Sequence, residues 1–188
     1  MLNNIGLSKR IKFIAFSIPI LWVIFGYFYI SQRVDDLSTL KYDEIAKEMQ
    51  TELKTLITEK KEAILLIAMS ISTTSQINDV LLYNNKNIEL DKFSAQLKEN
   101  TSLKNIWFQV VSADGISLYR SWTKKANDDL KKIRLDVIEM VKNPQIVSSI
   151  STGKFDLSFK SMVPIYQKEK FIGFVEVIAK FNSIALKM

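Results

Sequence analysis

Cysteine and histidine are both absent from this chain, and glycine and proline occur only five and three times in 188 residues. Without cysteine there is no disulfide framework and no thiolate metal site; without histidine there is no imidazole ligand and no imidazole base. Those two absences remove the Ser-His-Asp and Cys-His hydrolase templates together with His/Cys zinc centres. A glycine-rich phosphate loop and a nucleophile elbow are missing as well. No metal or cofactor is expected. A block of one charge sign is also lacking: the net charge of +6 arises from Lys and Arg that alternate with Asp and Glu. Aromatic residues are not interleaved with a basic stripe, so a nucleic-acid partner is not expected. A composition 47% hydrophobic and poor in glycine and proline is that of a folded chain, long enough for one domain with appendages.

What the sequence does contain is one long apolar run. Phe13 to Ile30 reads FIAFSIPILWVIFGYFYI and carries no charge, which suits a helix crossing a bilayer core of about 30 Å. Pro19 and Gly26 are tolerated better in spanning helices than in soluble ones, and Trp22, Tyr27 and Tyr29 are amphipathic rings of the kind found in such spans. Lys9, Arg10 and Lys12 precede the run, whereas Arg33 follows it beside Asp35 and Asp36, so the basic excess places residues 1–12 in the cytoplasm. A cleaved signal peptide would have a shorter apolar region and a small-x-small site, which YFYISQR does not supply. Residues 13–30 are therefore expected to span the membrane in contact with lipid, with everything after Ser31 outside.

Beyond the run, Leu37, Leu40, Ile45, Met49, Leu53, Leu56, Ile57, Ile64, Ile67 and Ile71 recur at mainly three- and four-residue steps. This predicts one amphipathic helix over 36–72, continuing the membrane helix as a stalk and pairing with a second copy as a parallel homodimer. Short helices follow around Ile77 to Tyr83 and Leu90 to Lys98, separated by NNKN. At Asn105 the period changes to alternation: NIWFQVVSADGISLYRSW predicts a hairpin about Asp114-Gly115, a dipeptide suited to positive φ. NDDLKKIRLDVIEMVKN predicts a helix with Leu130, Ile133, Val137, Met140 and Val141 on one face and Asn127 or Asp128 as its cap. QIVSSIS, FDLSFKSMVPIY and FIGFVEVIAKF complete the strands, the last two joined across QKEK. The predicted class is α+β, an antiparallel sheet at 105–181 with helices on one face. NSIALKM at 182–188 reads as the start of another helix.

The runs ADGISLYRSWTKKANDDLKKIR, GKFDLSFKSMVPIY and FIGFVEV resemble the extracytoplasmic Cache sensory domains, PAS-like modules of bacterial chemoreceptors, histidine kinases and diguanylate cyclases. The double-Cache sensors of two-component kinases place an acidic-Gly hairpin, an Arg, a GDDL-like helix start, a further Arg and a Gly-x-x-Glu strand in a similar run. The resemblance covers roughly Thr101 to Phe181. It departs from the family's pattern at Asn127, where Gly is frequent, and at Lys160, where Arg is common. Arg120-Ser121-Trp122 resembles the amino-acid-binding Arg-x-Trp-Tyr motif, but Thr123 replaces the Tyr. The resemblance implies a sensor without catalytic activity in the bacterial inner membrane, its domain 31–181 periplasmic. A second Cache module, a returning helix and an effector would follow.

Seven residues are the candidates for ligand contact. Arg120 offers a planar fork that suits a carboxylate, and Trp122 an apolar wall or an indole N–H. Alternation sets Tyr119 on the strand face opposite Arg120 and Trp122. The competing role for Arg120 is an ion pair with Asp128 or Asp129. Glu176, an acid among Phe174, Val175, Val177 and Ile178, needs a cation if buried, which makes it a partner for a ligand ammonium or for Arg120, Arg134 or Lys160. Lys160 either closes a cluster with Glu176 or snorkels to water. Trp107 and Phe108 read as core, and Asp156 as a solvated strand residue. The predicted function is binding of a small organic ligand, a carboxylate or an amine or amino-acid-like compound, signalled through the stalk. A tethered envelope scaffold or adhesin, or a carboxylate-dependent enzyme, are the alternatives.

Overall fold

The computed structural model describes residues 4–85, 87–152 and 157–181, with side chains from Ser17 onward. The helix start expected at 182–188 and the candidate strand residue Asp156 lie outside those residues. The chain divides into two units, Met1–Leu53 and Lys54–Met188. Helix α1 runs unbroken from Asn4 to Ser72 with Pro19 inside it, so the apolar run and the predicted stalk are one helix.

In the first unit α1 is uncovered: Ile18, Leu21, Trp22, Val23, Phe25 and Phe28 are all exposed. Leu37, Leu40, Ile45 and Met49 are exposed as well. Among the described residues from Ser17 onward, no single helix is long and apolar enough to cross a membrane. The expected span begins at Phe13, so its first four residues fall outside the described side chains.

In the second unit the end of α1 buries Ile64, Ala68 and Ile71, an i, i+4, i+7 face. Thr74 then turns to extended backbone and starts α2 (Ser75–Tyr83), which Asn84 ends in the left-handed region. Helix α3 (Leu90–Asn100) leads into a sheet of β1 (Ile106–Ser112), β2 (Ser117–Arg120), β3 (Val147–Thr152), β4 (Leu157–Gln167) and β5 (Lys170–Lys180). The order is β2-β1-β5-β4-β3, every neighbouring pair antiparallel. A turn of 3₁₀ helix (Leu130–Lys132) and helix α4 (Leu135–Lys142) occupy the connection from β2 to β3.

Two expectations are corrected here. Helices cover both sheet faces. Phe93 of α3 packs against Phe108 of β1 with ring centroids 5.6 Å apart and planes tilted by 30°. The opposite face packs Val111, Met162 and Phe174 against Leu130, Val137 and Met140. The reason is topological: β2 and β3 are the two edge strands, so their connection must cross the sheet, and it does so on the face that α3 leaves open. The second correction concerns the single helix expected over NDDLKKIRLDVIEMVKN. It is broken at Ile133 and Arg134, with Arg134 extended at φ −131°, and Ile133 is 81% exposed instead of sharing the core face. Neither Asn127 nor Asp128 caps it; the Asp129 carboxylate accepts from the Lys131 N–H at 3.1 Å and caps the 3₁₀ turn.

Both predicted hairpins form. At the first, Gly115 alone takes positive φ, at 78°; at the second, Lys168 and Glu169 both do, at 47° and 66°. Gly173 is a harder constraint. At φ 150° a Cβ there would collide with the Val111 carbonyl oxygen and lie 2.5 Å from Leu81 Cδ2. Gly173→Ala is expected to cost about 2–4 kcal/mol. It would appear as a lower urea midpoint at unchanged slope.

Candidate functional site

Because paired residues of antiparallel strands share a face, the register places the side chains of one sheet face in rows. One row crosses four strands as Trp107, Ile178, Lys160 and Ser149. The next, toward the ends of β1 and β5, is Lys180, Ser158 and Ser151. These two rows form the floor of an open cleft of about 1100 Å³. The break between the 3₁₀ turn and α4 supplies its wall as Ile133 and Arg134, continued by Leu135 and Asp136 at the start of α4, and Trp122 closes another side. Trp107 and Trp122 meet with centroids 6.3 Å apart and planes tilted by 59°. Lys180 Nζ lies 5.8 Å from the centre of the Trp107 ring.

Beside this floor, two residues along the strands on the same sheet face, runs the row Arg120, Gln109, Glu176 and Met162. Glu176 is fully buried, and its carboxylate is met by the Arg134 guanidinium through Nη1 to Oε2 at 2.7 Å and Nη2 to Oε1 at 2.5 Å. This bidentate pairing offsets the desolvation of the buried anion. It also accounts for the broken helix, since an extended Arg134 reaches the sheet. The other edge of Arg134 donates to Asp136, Nε to Oδ1 at 3.1 Å and Nη2 to Oδ2 at 2.7 Å. Lys160 Nζ completes the cluster, 2.8 Å from Asp136 Oδ2 and 3.7 Å from Glu176 Oε1.

On the other side of Glu176, Gln109 donates to Oε2 at 2.9 Å, and its carbonyl accepts from Arg120 Nε at 3.2 Å and from Ser117 Oγ at 2.7 Å, with the amide oriented as its neighbours require. Arg120 Nη1 binds Asp128 Oδ2 at 2.8 Å. A chain of charged groups with the Gln109 amide as one link thus joins Asp128 to Lys160. Burial opposes the charge on Arg134, but Glu176 and Asp136 keep it protonated beyond the ordinary guanidinium range.

Burial also works against the charge on Asp136, yet the hydrogen bonds from Arg134 and Lys160 outweigh it and hold this carboxyl well below the usual range. Its unfolded value is about 3.9. A depressed folded value means that the stabilisation is fully present above the unfolded pKa and is lost as pH falls through the folded one. Asp136→Asn is therefore expected to destabilise by about 1–2 kcal/mol at neutral pH, allowing for partial exposure. Urea unfolding of both proteins at successively lower pH should show that gap closing below about pH 4.

Of the seven candidate residues, Trp122, Arg134 and Lys160 line the cleft and Glu176 lies beside its floor, held by Arg134. Arg120 and Asp128 form the ion pair that was the competing role, and Arg120 reaches the cluster only through Gln109. Asp129 caps the 3₁₀ turn. Trp107, expected in the core, is half-buried and forms part of the floor. Period-two parity with Glu176 is the signal that places Ile178 and Lys180 on its face, whereas bringing Trp107 and Lys160 beside them takes the register between strands. Asp136 carried no such signal; it follows from the helix break.

Residues 42–188, more than half of the chain, match the family described as the double sensory domain of two-component sensor kinase, dCache_3. No curated protein matches the sequence. The fold is similar to that of the Escherichia coli DcuS sensor domain, at 15% identity and a TM-score of 0.51 over 67% of this chain and 91% of that one. The Vibrio cholerae histidine kinase DctB sensor domain gives 12% identity and a TM-score of 0.52, over 78% of this chain and 60% of that one. The extracellular domain of the putative histidine kinase vpHK1S-Z8 gives 15% and 0.50, over 69% of this chain and 54% of that one. The chain thus spans little more than half the length of the latter two.

Proposed function

This chain belongs to the dCache family of double sensory domains of two-component sensor kinases, and from that premise we propose that it binds a small organic carboxylate in the cleft over β1, β5 and β4. The observation that carries the reading is the cationic lining. Arg134, Lys160 and Lys180 border the cleft against one carboxylate, Asp136. Lys160 is the pivotal contact, because its ammonium already sits between two anions and can exchange one for the ligand. Ser149, Ser151 and Ser158 add hydroxyl donors on the β3 side. A ligand amino group would find Asp136, so amino acids fall within the class.

Signalling follows as a population shift. Strand β1 carries Trp107 to the cleft and Phe108 to α3 on the opposite face, so a ligand that favours one placement of β1 biases both faces. The shift it produces is set by its differential affinity for the two arrangements. The exposed apolar sleeve of α1 supports residues 13–30 as the membrane anchor, lipid supplying the missing cover, with the sensor domain on the extracytoplasmic side. Ile45 and Met49, exposed on α1 and in line with Leu53 and Leu56, support a homodimer through this helix.

The test is thermal unfolding of the full chain in detergent micelles against organic acids, amines and amino acids, repeated with Lys160→Met. Acids should raise Tm, by about 2.7 kcal/mol of added stability at a hundredfold excess over Kd, and the variant should lose the effect. A screen without any shift, or shifts unchanged in the variant, contradicts the proposal.

A further inference from the structure

We infer that the carboxylate this cleft takes carries an aromatic ring, joined to its carboxyl group by a short chain. The inference rests on the carboxylate reading above and adds to it the other end of the ligand. The floor row changes character across the sheet: Trp107 and Ile178 are apolar, Lys160 and Ser149 polar. Two strand spacings, about 10 Å, separate the Trp107 and Lys160 backbones, a span that one small molecule can bridge.

The structure leaves large apolar side chains in water around this concave site. Trp122 on one segment is 42% exposed, and Ile133 and Leu135 on another are 81% and 83%, all lining the same cleft. Apolar surface converging on one cleft is stabilised when a ligand covers it. The two indoles stand 6.3 Å apart at 59° and form a corner. A flat ring entering it stacks on one indole and meets the other edge-on, the two geometries that aromatic pairs favour. A flexible alkyl group gains neither. Lys180, close to the Trp107 ring, keeps the electrostatics at this end favourable to an anion.

Isothermal titration of the full chain in detergent micelles, with the heat of partition into empty micelles subtracted, separates the possibilities. The probes are 4-phenylbutyrate, hexanoate and 4-phenylbutylamine. The arylalkanoate should bind about tenfold more tightly than hexanoate, in keeping with the worth of an aromatic pair, and the amine more weakly than either acid. Trp122→Ala should weaken the arylalkanoate more than hexanoate and so remove most of the difference between the two acids. Trp107→Phe, which keeps a ring, should retain most of it. Equal affinities for the two acids, or equal weakening of both by Trp122→Ala, would overturn the aromatic inference and leave the carboxylate reading standing. Failure of both acids to bind would overturn both.

Discussion

Arg134→Ala should destabilise the sensor domain by about 3–5 kcal/mol, the cost of leaving a buried carboxylate without its cation. Glu176 has no exposure at all and receives two hydrogen bonds from this one guanidinium. Removing the arginine leaves Lys160, 3.7 Å away and already committed to Asp136, and the neutral amide of Gln109. Neither replaces a bidentate pair. The same substitution frees the break in the β2–β3 connection to rejoin as helix, since the ion pair is what holds Arg134 extended against the periodic pattern. The paired replacement Arg134→Met with Glu176→Met should recover most of the loss, because an apolar pair of similar volume carries no desolvation cost. Urea unfolding of the single and paired variants decides it. A single variant within about 1 kcal/mol of the natural protein would mean that water reaches Glu176 and that the pair is not buried as described.

Lys160→Glu should abolish ligand binding, weakening it at least about a hundredfold, or roughly 2.7 kcal/mol. The substitution reverses the charge at the cleft's central cation and sets a third carboxylate beside Asp136 and Glu176. Like charges at such distances disfavour an anionic ligand and also strain the cluster, so circular dichroism must accompany the measurement. Lys160→Arg, which keeps the charge, should hold affinity within about tenfold. The contrast between the two variants separates charge from packing: if both lose binding equally, the position matters for shape and not for its ammonium.

The order of elements, both hairpins and the α+β class were legible because each rests on local period and turn chemistry. Alternation around Asp114-Gly115 and across QKEK is a property of a few neighbouring residues. The site was legible only in part. Glu176 stood out as an acid within an apolar strand, and its three possible cation partners followed from charge alone. Which of them it chose depended on a helix breaking at Ile133, a tertiary effect that overrides a good helical pattern. Arg120 illustrates the converse. Its chemistry suits a ligand carboxylate, but Asp128 lies within reach after the chain turns, and the local ion pair takes it. Alternation alone puts Trp107 in the core, where such aromatic residues usually lie, and the cleft that half-exposes it is made by elements far away in sequence.

The central claim is that the cleft between Trp107, Trp122 and Lys160 holds an organic anion. The chain has three tryptophans, so Trp22→Phe leaves only the two that border the cleft to fluoresce. Titration of that variant with organic acids should change the emission saturably, and adding Lys160→Met should move the midpoint at least about tenfold higher. Emission that stays constant with every acid, or a midpoint indifferent to Lys160, would contradict the account.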